Sequence, residues 1–141
     1  MGKELRIFEK LQAIHNPKIE NCGIPQIYYS GWFLKYDAIA MTLFEGSLND
    51  RHQIERKAGR KFTDTTILSI FLQAVKGLQY LNLHSIVHND IKPENLFLRA
   101  NKVFVGDFDQ ATEGIVQSNG YTKKFASRNL FLGKPRSGMD D

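Results

Sequence analysis

His88-Asn89-Asp90-Ile91-Lys92-Pro93-Glu94-Asn95 is the stretch on which the reading of this chain turns. It brings a carboxylate, a cation and a carboxamide (Asp90, Lys92 and Asn95) close together in a polar loop. Just before it, Ile67, Phe71, Ala74, Val75, Leu78 and Leu81 recur at helical spacing and predict one long amphipathic helix. Thr63 and Asp64 are capping types at its start, and the helix should end near His84. Just after the loop, Leu96-Phe97-Leu98 and Val103-Phe104-Val105 flank the polar turn Arg99-Ala100-Asn101-Lys102, the pattern of a hairpin. Gly106-Asp107-Phe108-Asp109 follows at once. A hairpin reverses the chain, so it should return Asp107 to the side of Asp90.

Further out, Leu5, Phe8, Leu11 and Ile14 predict an amphipathic helix over residues 4–14, ended by Asn16-Pro17. Ile24 to Phe33 reads as a strand, or strand plus turn, and Ala38 to Phe44 as a second short strand. Ser47 is placed to cap a short helix from Leu48 to about Lys57. From Gln110 onward the chain is polar apart from an aromatic cluster at Phe125 to Phe131, and reads as a long loop with one helical turn at most. Neither a GxGxxG nor a Walker A motif occurs, so a dinucleotide-binding or P-loop fold is unsupported.

These residue types suit one kind of chemistry. Moving a phosphoryl group from ATP to a hydroxyl needs a carboxylate to orient the hydroxyl, oxygen ligands for magnesium and a cation against the developing charge. Asp90 can be the base and Lys92 the cation, with Asn95 and Asp107 the magnesium ligands. Magnesium takes few protein ligands, all oxygen, which one Asn and one Asp supply.

At this point the sequence resembles a family. His88 to Asn95 resembles the catalytic loop of protein kinases, and Asp107-Phe108-Asp109 resembles their magnesium-binding element. Ile24-Pro25-Gln26-Ile27, Met41 to Leu48, Phe125 to Asn129, Leu132-Gly133 and Ser137 to Asp141 look most like the casein kinase 1 group, although the loop from Gln110 to Tyr121 is short for it. The resemblance implies an α+β, protein-kinase-like fold, present in part. Residues 1–44 would form a remnant of the N-lobe and the hinge, and residues 45–141 a C-lobe portion with the catalytic loop and activation segment. It implies ATP and Mg2+ as cofactors, and a protein substrate with Ser/Thr rather than Tyr as acceptor, from Lys92-Pro93-Glu94. Glu4 would be the helix-C glutamate that pairs with the ATP-binding lysine. Met41 would be the gatekeeper, and Thr42, Leu43 and Phe44 the hinge that meets adenine. Phe8, His88 and Phe108 would stack on one another, and Asp141 would be the first buried carboxylate of a further helix.

The chain departs from the family pattern in two residues. Asn89 stands where an arginine usually precedes the catalytic aspartate; that arginine pairs with an activation-loop phosphate, so phosphate-switched control is not expected. Asp109 stands where the magnesium element has glycine, which reaches backbone angles that aspartate attains only with strain. No Gly-rich loop and no β3-type lysine occur, and Lys3 and Lys10 are out of place for one. The expectation is a fragment of a larger kinase that by itself binds ATP weakly and transfers no phosphate. Its long helix should keep part of its apolar face exposed, for want of the helices that usually cover it. The alternative is an inactive pseudokinase or truncated scaffold that binds proteins. A small-molecule phosphotransferase of kinase-like fold fits less well, because such enzymes usually lack Lys-Pro-Glu before the asparagine.

Bulk properties agree with one ordinary globular domain. The chain has 141 residues, 42% hydrophobic and 24% charged, with a formal net charge of +4. Its basic residues are scattered, and the run Arg56-Lys57 to Arg60-Lys61 is broken by Ala58-Gly59, so no nucleic-acid partner is expected. The single Cys22 allows no internal disulfide. There is no signal-peptide pattern and no apolar run near the ~20 residues that span a bilayer, so a cytoplasmic or nuclear location without membrane attachment is expected.

Overall fold

The computed structural model describes residues 3–13, 22–114 and 127. The first helix, α1 (Lys3–Ala13), forms because Leu5, Phe8 and Leu11 share a face, and all three are buried together with Ile7. The expected positions of Ile14 and of the Asn16-Pro17 stop lie outside the described residues. The Gly23 carbonyl accepts the Val105 N–H at 2.8 Å, and Ile24 behind it is fully buried.

Strands β1 (Ile27–Phe33) and β2 (Tyr36–Met41) pair antiparallel around Leu34-Lys35, with a register shift between Ile27 and Tyr29. The second strand stops at Met41, so Thr42, Leu43 and Phe44 form an extended connection rather than the end of a strand. Gly46–Ser47 is β3, and Ser47 caps α2 (Leu48–Lys57). The cap is reciprocal: Asp50 N–H donates to Ser47 Oγ at 3.1 Å and Ser47 N–H donates to Asp50 Oδ2 at 2.8 Å. The long helix α3 (Asp64–Leu83) is capped by Thr63 and closes at His84, matching both sequence signals.

The residues read as one apolar face of α3 are only partly covered. Ala74, Gly77 and Leu81 are buried, whereas Ile67, Phe71 and Val75 are exposed, as are Leu68 and Leu72. The helix is apolar over most of its circumference, and only one side meets the body of the protein. That side approaches Val105 and Gly23 so closely that a Cβ on Gly77 would lie 2.8 Å from Val105 Cγ2 and 3.2 Å from the Gly23 carbonyl oxygen. The expected exposure of an apolar face is therefore present.

Beyond α3 come β4 (Ile86–Val87), the loop, a 3₁₀ turn at Pro93–Asn95, the hairpin β5 (Leu96–Arg99) and β6 (Lys102–Val105), and β7 (Thr112–Glu113). Leu96 pairs with Val105 and Arg99 with Lys102; Ala100 and Asn101 both take positive φ, as a two-residue hairpin turn requires. The three-stranded sheet runs β3-β5-β6, and β4 pairs with β7. The two-residue strands β3, β4 and β7 have no periodicity to read and were not expected from sequence. Phe8, Leu11, Ile24, Leu81, Ile86, Val105 and Phe108 form the centre of the core.

Candidate active site

The loop and the turn after the hairpin meet as the spacing predicts. Lys92 Nζ lies 2.6 Å from Asp90 Oδ2. Asn95 Nδ2 donates to the Asp90 carbonyl at 2.9 Å and to Asp90 Oδ2 at 3.2 Å. The Asp90 carboxylate is thus gripped on one oxygen by a cation and an amide. The Asp90 partner holds the Lys92 ammonium above the usual lysine range; burial opposes this, and the charges of Asp90, Asp107 and Glu94 add to it. Lys92 therefore stays cationic at neutral pH. Gly106 N–H donates to the Asn95 carbonyl at 3.0 Å, which ties the turn carrying Asp107 to the loop carrying Asp90.

His88 is the pivot beneath. It is fully buried, its Nδ1 accepts the Asp90 N–H at 3.3 Å, and its Nε2 lies 3.0 Å from the Gly106 carbonyl oxygen. An Nδ1 that accepts leaves the proton on Nε2, which donates to Gly106. The ring packs 5.3 Å from Phe108, which meets Phe8 edge-on at 4.8 Å. The expected stack of Phe8, His88 and Phe108 is formed, and it pins α1 and Asp107 to one support.

Glu4 on α1 accepts the Phe108 N–H at 3.4 Å. Its carboxylate, those of Asp107 and Asp109, all lie within 4.8 Å of one another. Burial pushes the Glu4 carboxyl above its ordinary range; the Phe108 N–H pulls it back, and the charges of Asp109 and Asp107 push it up again. Asp107 takes φ +64, a backbone angle uncommon for a residue with a side chain.

The connection at 42–44 is organised differently from a row of side chains facing one ligand. Thr42 is buried, its N–H donates to the Gln26 carbonyl at 2.9 Å, and its Oγ1 accepts the Gln26 N–H at 3.0 Å. Phe44 stacks on Phe97 at 5.1 Å, and Met41 packs against the core, while Leu43 is 85% exposed. Any contact this segment makes with a planar ligand falls to its backbone and to Leu43.

A family model described as "Protein kinase domain" matches residues 3–131. The chain belongs to the protein kinase family. Among its relatives, Cell division control protein 2 homolog 3 of Trypanosoma brucei brucei is 32% identical over 124 residues, covering 84% of this chain and 36% of that protein. Casein kinase I homolog 2 of Saccharomyces cerevisiae is 29% identical over 137 residues, covering 84% of this chain and 24% of that protein. The chain thus spans about a third and a quarter of the lengths of these curated relatives.

In this kinase domain the oxygen-rich chemistry fits magnesium. Asn95 commits its NH2 to Asp90, so its Oδ1 is the donor it has for a metal, and Asp107 adds a carboxylate. Sequence reasoning missed how Asn89 is used. Its Nδ2 reaches the Val87 carbonyl at 3.1 Å, the Gln110 carbonyl at 3.0 Å and Thr112 Oγ1 at 2.9 Å. Asparagine tolerates the left-handed backbone angle found here, φ +70, but nothing near it in sequence pointed to Thr112. The proximity of Asp109 to Glu4 was likewise invisible, because those residues are far apart along the chain. The terminal motifs from Phe125 to Asp141, apart from Ser127, lie outside the described residues. Among those residues no helix is long and apolar enough to cross a membrane.

Proposed function

We propose that the protein is a serine/threonine protein kinase and that this chain supplies its catalytic loop and magnesium-binding turn. The observation that carries the reading is the Asp90–Lys92–Asn95 cluster held to the Asp107 turn by the Gly106–Asn95 hydrogen bond. Asp90 orients the acceptor hydroxyl and takes its proton. Lys92, kept cationic by Asp90, offsets charge on the transferred group. Asn95 and Asp107 hold the metal, and the Met41–Phe44 connection borders the adenine. Mg-ATP, when bound, supplies the phosphoryl group and the counter-charge to it. Ser/Thr acceptors and a casein kinase 1 type of specificity are supported by the motif resemblance and by the likeness to the yeast relative.

A second reading is favoured by one feature: these 141 residues carry no Gly-rich loop and no β3-type lysine. On that reading the chain binds proteins and transfers nothing. Phosphate transfer from ATP to an acidic Ser/Thr peptide separates the two when measured on the full product of the gene. The expected result is magnesium-dependent transfer that Asp90→Asn lowers about 10²–10⁴-fold. Transfer indifferent to Asp90→Asn, or none at all, sinks the kinase reading. The 141-residue chain alone is expected to bind Mg-ATP weakly, by calorimetry, with Asp107→Ala as the control.

A further inference from the structure

Asn89 sits next to Asp90 yet faces the other way. It is 7% exposed and takes φ +70, and its two amide hydrogens are shared among the Val87 carbonyl, the Gln110 carbonyl and Thr112 Oγ1. Val87 lies in β4, before the catalytic loop; Gln110 and Thr112 follow the Asp107-Phe108-Asp109 turn. Asn89 therefore joins the strand entering the loop to the segment leaving the turn. The same junction carries the β4–β7 pairing of Val87 with Thr112 and Ile86 with Glu113, and the Gly114 N–H donates to the Ser85 carbonyl at 2.7 Å. Between them, Ala111 N–H donates back to the Phe108 carbonyl at 3.0 Å. The turn is thus clamped on its far side by this junction and on its near side by Gly106 and Asn95.

We infer that Asn89 is a positioning residue, a neutral amide latch that holds the Asp107 turn in register with Asp90 without any charged modification of the segment that follows. The inference rests on the kinase reading for its link to catalysis. Every partner of the latch named above is uncharged, so the latch forms without a phosphate on that segment. The acceptors are specific for a donor: an aspartate has the same shape and tolerates the same backbone angle but offers no N–H to two carbonyls. Glycine keeps the backbone angle without strain and removes the amide. Alanine is the wrong probe, because its Cβ opposes φ +70 and mixes strain with loss of the contact.

The test uses the full gene product as wild type, Asn89→Asp and Asn89→Gly. Hydrogen exchange at the amides of residues 111–114 should quicken about 10-fold in both variants. The magnesium concentration for half-maximal transfer should rise about 10-fold, with the KM for peptide unchanged and phosphatase treatment of the wild type without effect. Unchanged exchange in Asn89→Asp overturns the latch. Faster exchange with an unchanged magnesium requirement overturns its positioning role, as does loss of wild-type activity on phosphatase treatment. If the wild type transfers no phosphate, the kinase reading fails, and exchange alone then decides whether the latch exists.

Discussion

At the scale of single residues, chemistry and packing place different demands on neighbouring positions. The Asp90 side chain keeps only 10% exposure, and His88 and Asn95 beside it are buried and each bonds to the backbone, Asn95 also to the Asp90 carboxylate. These two fix the loop, so that the reactive carboxylate need not fix itself. Gly77 shows the same economy in a helix interior, where glycine normally costs about 1 kcal/mol relative to alanine. It is kept because α3 meets Val105 and the Gly23 carbonyl with no room for a side chain. Gly77→Ala should gain helix propensity but lose more through overpacking, for a net destabilisation of about 1 kcal/mol in urea unfolding. A stabilised variant would mean that α3 and β6 separate more easily than their contact implies.

At the scale of elements, α2 is held at both ends by local polar contacts rather than by a buried stripe. Its start is the Ser47–Asp50 box. Its end is Glu55, whose carboxylate meets Arg60 Nε at 2.6 Å and Arg51 Nη2 at 2.9 Å, closing the connection towards α3. The Arg60 hydrogen bond, with the charges of Arg60 and Arg51, holds the Glu55 carboxyl below its ordinary 4.5 despite opposing burial. A carboxyl depressed on folding adds stability that is complete above pH 4.5 and is lost as pH falls through the lower folded value. Wild type should therefore lose more stability between pH 7 and pH 3 than Glu55→Gln does, in parallel urea titrations. Equal slopes would show that the pair adds nothing.

At the scale of the whole molecule, the apolar surface is unevenly covered. Ile67, Leu68, Phe71 and Leu72 are each more than half exposed, along one side of a helix whose other side is in the core. Ile67 and Phe71 line a groove of ≈ 1180 Å³ between α2 and α3 that reaches Ile91, Pro93 and Leu96 at the foot of the catalytic loop. Such a surface on the isolated chain should bind an apolar dye under native conditions and promote self-association. Phe71→Ser should reduce both, by dye fluorescence and sedimentation velocity, while shifting unfolding by no more than about 0.5 kcal/mol. Unaltered dye binding would place the accessible apolar surface elsewhere.

The sequence by itself determined what is local. The caps at Ser47 and Thr63, the reversal between β5 and β6, and the order Asp90, Lys92, Asn95, Asp107 all depend on near neighbours, and helix periodicity, turn chemistry and motif spacing carry such information along the chain. It also determined the stack of Phe8, His88 and Phe108, but only through resemblance to a family, since nothing in the spacing of those residues brings them together. Tertiary structure alone decided which side of α3 is buried, because a helix apolar on most sides has no preferred face until a partner arrives. It alone paired two-residue strands too short to show a period, turned the side chains of Thr42 and Phe44 into the protein, and set Glu4 beside Asp107 and Asp109. Above all it gave Asn89 its use: a residue that reads in sequence as a missing arginine becomes, once β7 folds back on β4, an amide with three acceptors in reach.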